Sequence, residues 1–237
     1  MTLYLSIILL LLFASFVQSF SGFGFALLTI PILTLLFDFP HAVALIALWG
    51  FLINLLLLKD LWKHISFKDL KFLYIGSILG IPLGVKVLLV ISPKILKIIL
   101  AVVILLFIIF NLKKHKNIPK SKNWISIIAG FFSGFLGGAL STNGPPIIIY
   151  LHYFSKSKEQ FKASITGFFI VSSIIIVMSH LVSGISDGFV FKNFIYLSPI
   201  VLIGYFLGQT LYKKVNHIFF DKTILILLFL ISILLIT

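Results

Sequence analysis

Cysteine and arginine are both absent from this 237-residue chain. The lack of cysteine removes disulfides, thiol nucleophiles and thiolate metal sites. Acidic residues are few: Asp38, Asp60, Asp69, Glu159, Asp187 and Asp221 all fall in loops or at the edges of apolar runs. A carboxylate relay for protons inside a membrane is therefore not expected. The chain has no H-E-x-x-H, no paired intramembrane aspartates and no G-x-S-G, since "GFFSG" and "SFSGFG" have the wrong spacing. These absences argue against an intramembrane enzyme, and no cofactor or metal is expected. No polar stretch exceeds about a dozen residues, which leaves no room for an appended soluble domain.

What the chain has in quantity is apolar sequence. It is 60% hydrophobic and 11% charged, with a mean hydropathy of +1.21. Runs of about 20 apolar residues, enough to cross a bilayer as helix, recur throughout. The formal charge of +13 does not point to nucleic acid, because every basic residue is lysine and the lysines gather in short loops between the runs. The first run lacks a basic leader and an A-x-A-like cleavage site, so it is expected to be a retained helix rather than a signal peptide.

Ten segments are expected: Leu3 to Phe20, Phe25 to Phe37, Ala42 to Leu58, Phe72 to Val90, Ile95 to Leu112, Trp124 to Leu136, Pro145 to Phe154, Ala163 to Val182, Phe194 to Leu211 and Ile218 to Ile236. If each changes sides, one face collects Lys59, Lys63, Lys68, Lys71, Lys113, Lys114, Lys116, Lys120, Lys122, Lys156, Lys158, Lys162, Lys213, Lys214 and Lys222. The other keeps Lys86, Lys94, Lys97 and Lys192. Fifteen against four places the first face in the cytoplasm and both termini outside. The shortest segments give the same sidedness as re-entrant hairpins, since 13 residues of helix reach only about 20 Å.

The two halves resemble each other. "FSGFGFALLTIPI" from Phe20 parallels "FSGFLGGALSTNGPPI" from Phe132, "FKDLKFL" from Phe67 parallels "FKNFIYL" from Phe191, and "GIPLG" from Gly80 parallels "GYFLG" from Gly204. With five segments per copy, the second copy enters from the opposite side. The expected fold is an all-α polytopic membrane protein of two inverted repeats, residues 1–112 and 124–237, joined by a Lys-rich cytoplasmic linker at 113–123.

Each repeat carries one polar interruption, and irregular backbone in hydrocarbon is costly unless protein or water receives its polar groups. Ser141, Thr142 and Asn143 are N-cap types, Gly144 permits tight backbone, and Pro145 and Pro146 suit the first helical positions. The run reads as the start of a half-helix whose free amides and positive dipole end favour a small anion. Ser21, Gly22 and Gly24, with Gln18 and Ser19 one turn back, form the counterpart. Ser133, Gly137 and Gly138 complete the expected substrate-binding set. Close helix packing is the competing reading for Gly137 and Gly138, and it is the expected one for the Gly80/Gly84 and Gly204/Gly208 pairs. Asn54, Thr166, Ser172, Ser173 and Gln209 are buried-polar candidates, open between lining a path and bonding helix to helix. His152 and His180, near segment ends, are expected at the interface. A transporter of cations or neutral solutes, or a non-transporting scaffold, would share much of this pattern.

"GFFSGFLGGALSTNGPPIIIYL" at Gly130 to Leu151 and "FVQSFSGFGFALLTIPIL" at Phe16 to Leu33 resemble the paired signatures of the TauE/SafE family of membrane proteins, over nearly the whole chain. That resemblance implies export of sulfite, sulfonates or related organosulfur anions across a bacterial inner membrane. The residues themselves supply "small anion"; the resemblance alone supplies "sulfur".

Overall fold

The computed structural model describes residues 2–112, 123–154 and 157–212, and among these the regular structure is entirely helical. The helices are α1 (Thr2–Ser21), α2 (Phe25–Leu33), α3 (Phe39–Leu61), α4 (Phe67–Val90), α5 (Pro93–Leu112), α6 (Asn123–Leu140), α7 (Gly144–Phe154), α8 (Lys158–Val182) and α9 (Gly188–Tyr212), with one 3-10 turn at Trp62–His64. Of the expected linker at 113–123, Asn123 begins α6, and the remainder lies outside the described residues, as does the tenth segment, Ile218 to Ile236.

Local chemistry fixes several starts. Asp38 caps α3, accepting from the His41 amide, with Pro40 in the first turn where no amide partner is needed. Ser157 caps α8 through the Gln160 amide, and Asp187 accepts from Val190 at the head of α9. Among the described residues, six helices are long and apolar enough to cross a membrane: α3 with its 3-10 extension, α4, α5, α6, α8 and α9. The 9 residues of α2 and 11 of α7 are too short to span about 30 Å of hydrocarbon. Outward-facing Leu79, Leu83, Leu106 and Ile195 supply the exposed apolar surface that lipid would cover.

Several helices run further than the apolar runs. α4 starts at Phe67 and takes in Lys68, Asp69 and Lys71, while α9 starts at Gly188 and takes in Lys192 and Asn193. The instructive extension is α6, which continues through Gly137 and Gly138 to Leu140 instead of stopping at Leu136. Glycine here serves close approach and does not break the helix. A Cβ on Gly80 would stand 2.2 Å from the carbonyl oxygen of Phe131, and one on Gly138 would stand 2.2 Å from that of Ile81. Backbones meet directly along the whole α4–α6 seam, the packing that small residues permit in apolar surroundings. Gly204 and Gly208 do the same against Leu12 and Phe16 of α1.

The order of these contacts gives the helix directions. Leu12 pairs with Gly204 and Phe16 with Gly208, so α1 and α9 run the same way. Trp49 donates to the Phe194 carbonyl and Asp60 accepts from Tyr205, so α3 joins them. α4 and α6 are mutually parallel, as Gly76, Gly80 and Gly84 meet Ile127, Phe131 and Phe135 in turn. α8 opposes α3, for Gly167 near its start packs on Ile65 just beyond the end of α3. The core between these sets centres on Trp49, fully buried, with Phe25 edge-on at 6.4 Å.

Two expected outcomes follow from this packing. Gly80→Leu should destabilise the folded protein by about 3 kcal/mol in thermal unfolding in detergent, whereas Gly188→Ala, whose Cβ meets nothing within 4 Å, should stay within about 0.5 kcal/mol. At the α8–α9 turn, the Val190 amide and then the His41 ring, 3.5 Å away, hold the Asp187 carboxyl below its ordinary value of 3.8. A depressed carboxyl stabilises the fold above its unfolded value and loses that contribution as pH falls through the folded one. The melting-temperature gap between the unmodified protein and Asp187→Asn should therefore be level near neutrality and close only below pH 3.8.

Candidate functional site

Both interruptions are built by local hydrogen bonds rather than by disorder of the backbone. At the first, Gly22 and Gly24 adopt φ of +88° and +108°, values that a Cβ would strain. The Ser21 hydroxyl sits between the carbonyls of Val17 and Phe23, at 2.8 and 2.7 Å. At the second, the positive φ falls on Ser141, at +52°, and not on Gly144, where tight backbone was expected. Ser141 tolerates it because its hydroxyl is anchored 2.8 Å from the Val43 carbonyl of α3. Gly144 is simply the first residue of α7.

The interruptions line a single cavity between α1, α2, α3, α7 and α8, with an empty volume of about 510 Å³ counted to its open mouth. From the first come Gln18 and Gly24, and from the second Ser141, Thr142, Asn143 and Gly144. Asn54 of α3 and Ser173 of α8 complete the polar lining, and Gly50, Phe169 and Ile176 form part of the apolar wall. Among the described residues, no charged side chain lines it. Gln18 donates to Asn54 at 3.0 Å, and Asn143 to Ser172 at 2.8 Å, so the amide side chains are held in place.

The lining residues at both helix starts carry backbone donors. The first helical bond of α2 is Leu28 to the Gly24 carbonyl at 3.1 Å, which leaves the amides of Gly24, Phe25, Ala26 and Leu27 without a partner inside that helix. α7 contributes fewer, because Pro145 and Pro146 have no N–H, and Asn143 and Gly144 supply the two that remain. To these is added the Thr142 hydroxyl, 1% exposed and without a hydrogen-bond partner.

The other residues expected at the site stand behind it. Ser19 donates to the Tyr205 carbonyl at 2.7 Å, and Ser133 to the Asn143 carbonyl, steadying the second turn. Gly22 lies against the Lys162 stem, Gly137 against Ile176 and Asn143, and Gly138 in the α4 seam. Ser21 shapes its own turn, while Pro145 and Pro146 shape the first turn of α7. Of the open polar candidates, Asn54 and Ser173 reach the cavity, Ser172 supports Asn143, and Gln209 bonds to Tyr205 at 3.2 Å. An amide alone in an apolar run was the signal for Asn54. The Phe25, Ala26 and Leu27 amides gave none, because backbone donors have no residue type.

Two basic residues depart from expectation. Lys162, grouped with the loop lysines, lies within α8, is 5% exposed and donates to the Ser19 carbonyl at 2.9 Å. His180, expected at the interface, is fully buried, with Nε2 3.3 Å from the Gly138 carbonyl. In both cases the carbonyl at a broken helix end draws the base inward. His152 is exposed, near the end of α7.

A family model described as "Sulfite exporter TauE/SafE" matches residues 7–235. No curated protein and no solved structure matches the chain.

The unpartnered hydroxyl of Thr142 has a measurable consequence. Replacing it by the isosteric valine removes a buried polar group with no bond to lose, so Thr142→Val should leave thermal stability unchanged or raise it by up to about 1 kcal/mol. A clear loss of stability would mean that the hydroxyl bonds within the fold.

Proposed function

The chain belongs to the TauE/SafE sulfite exporter family, and we propose that it moves a small oxyanion, sulfite or a sulfonate, outward through the cavity between its two interruptions. The observation that carries this reading is the convergence of two helix amino ends and the Thr142 hydroxyl on one space with no charged lining residue. Orphan amides and the positive dipole end of a helix stabilise an anion, more strongly where water is thin. A cation would need carboxylates or free carbonyls there. The family supports the sulfur chemistry; the donor set supports the negative charge.

The transport plan we propose is two inverted repeats, 1–112 and 124–237, with the Lys-rich ends cytoplasmic and both termini outside. α8, which opposes α3, runs along α4 and α6, as Tyr74 meets Gly167 and Gly138 meets His180; α1 and α6 therefore have opposed directions, each leading into its own interruption, and this supports that arrangement. In this orientation the membrane potential alone drives export, since a monovalent anion leaving a negative interior gains about 2.3 kcal/mol per 100 mV. Asn143 and Gln18 would orient the oxyanion by their amide hydrogens, with Ser172 and Asn54 holding them in place.

Proteoliposomes containing the purified protein, offered labelled sulfite, a taurine-like sulfonate and sulfate with a potential imposed in either direction, test the reading. Flux of sulfite or sulfonate toward the positive side is expected, with Thr142→Val and Asn143→Ala each lowering it about tenfold, the effect of one lost bond to a charged group. Indifference to every anion would remove the anion reading. Proton movement strictly coupled to the cargo would overturn the potential-driven mechanism.

A further inference from the structure

Each interruption brings two helix ends to the cavity, and they have opposite polarity. The amino ends of α2 and α7 offer N–H groups, while the carboxy ends of α1 and α6 offer carbonyls whose partial negative charge would repel the same cargo. Left exposed, the two kinds of end would largely cancel. An anion site therefore needs its carbonyl ends suppressed.

α8 does this at both places. Lys162 donates to the carbonyl of Ser19 at 2.9 Å, and His180 Nε2 stands 3.3 Å from that of Gly138. Ser19 is two residues before the last of α1, and Gly138 two before the last of α6. The equivalent carbonyl of each broken helix is thus met by a base from opposite ends of a single helix. The two caps differ in one respect: an imidazole ring can donate without carrying a charge, whereas burying an ammonium is expensive. A neutral donor would suffice to satisfy a carbonyl, so the positive charge at Lys162 calls for a further role.

We infer that Lys162 is a positioning residue for the charge of the cargo: it neutralises the carbonyl end of α1, leaves the amide end of α2 as the field in the cavity, and so sets preference for an anion without touching it. This rests on the anion reading above. The charge balance includes Asp60, whose carboxylate interacts electrostatically with Lys162 and accepts from Tyr205 at 3.3 Å. Asp60 is exposed at the end of α3, and it tempers the lysine rather than the cavity. The two residues should therefore act with opposite sign.

Initial rates of labelled sulfite transport in proteoliposomes, for the full chain and three variants, decide the matter. Lys162→Gln is expected to raise KM about tenfold with little change in Vmax, within the range of a partly buried charge at a helix end. Lys162→Arg should restore KM to within about twofold, and Asp60→Asn should lower KM about twofold by removing the tempering charge. A fall in Vmax at constant KM for Lys162→Gln, or equal damage from Lys162→Arg, would reduce the lysine to a structural cap and overturn the inference alone. Should Lys162→Gln not assemble, Asp60→Asn still decides, since a lower KM supports the inference and an unchanged or higher one overturns it. No anion flux through the unmodified protein would instead overturn the transport reading, and this inference with it.

Discussion

A peptide group that leaves regular helix inside an apolar protein must find a partner for its N–H and its C=O, or cost several kcal/mol. The remaining architecture is arranged around meeting that demand twice, at residues 22–24 and 141–143. Serine hydroxyls take most of the load. Ser21 satisfies carbonyls within its own turn, Ser133 reaches the Asn143 carbonyl, and Ser141 ties its turn to Val43 on α3. Among the groups left unmatched, the first-turn amides of α2 and α7 and the Thr142 hydroxyl belong to residues that line one cavity, while the hydroxyls of Thr166 and Ser186 and Nδ1 of His180 lie away from it. In a chain with no arginine, that set of neutral donors is what the proposed anion site rests on.

The interruptions can meet only because the helices around them approach closely. Glycine at 76, 80, 84, 130, 134 and 138 lets the backbones of α4 and α6 meet directly along their seam, and Gly204 and Gly208 bring α9 onto α1 in the same way. These seams are rigid packing surfaces, and they leave α3 and α8 as the two long helices that face the cavity from either side. Asn54 and Ser173 reach it from those helices, one polar side chain from each. α8 has the added task of supplying Lys162 and His180 to the carbonyl ends of α1 and α6. Support of the breaks and electrostatics of the cavity are thereby placed on one element.

Much of this was legible in the sequence. Apolar runs found the nine described helices, the long ones because a bilayer-length hydrophobic stretch has few alternatives, and Ser-Thr-Asn-Gly-Pro-Pro announced the start of α7 because each residue type has a local reason to be there. Legibility failed where a residue's role depends on a neighbour from another helix. Gly137 and Gly138 looked like part of the break, yet the backbone of α4 opposite Gly138 keeps them helical. Gly144 looked like the strained residue, yet the anchor on Val43 shifts the left-handed conformation to Ser141. Lys162 looked like one more loop lysine until the α1 carbonyl end appeared beside it.

The sequence by itself determined that the chain is helical, apolar and interrupted twice by polar residues, since hydropathy, capping and proline chemistry act within a few residues of one another. Tertiary structure alone decided that the two interruptions share a cavity, which donors remain free in it, and which bases reach the broken ends. Those outcomes depend on pairs such as Gln18 with Asn54 and Lys162 with Ser19, separated by 36 and 143 positions, and no local pattern encodes a distance in space between residues so far apart along the chain.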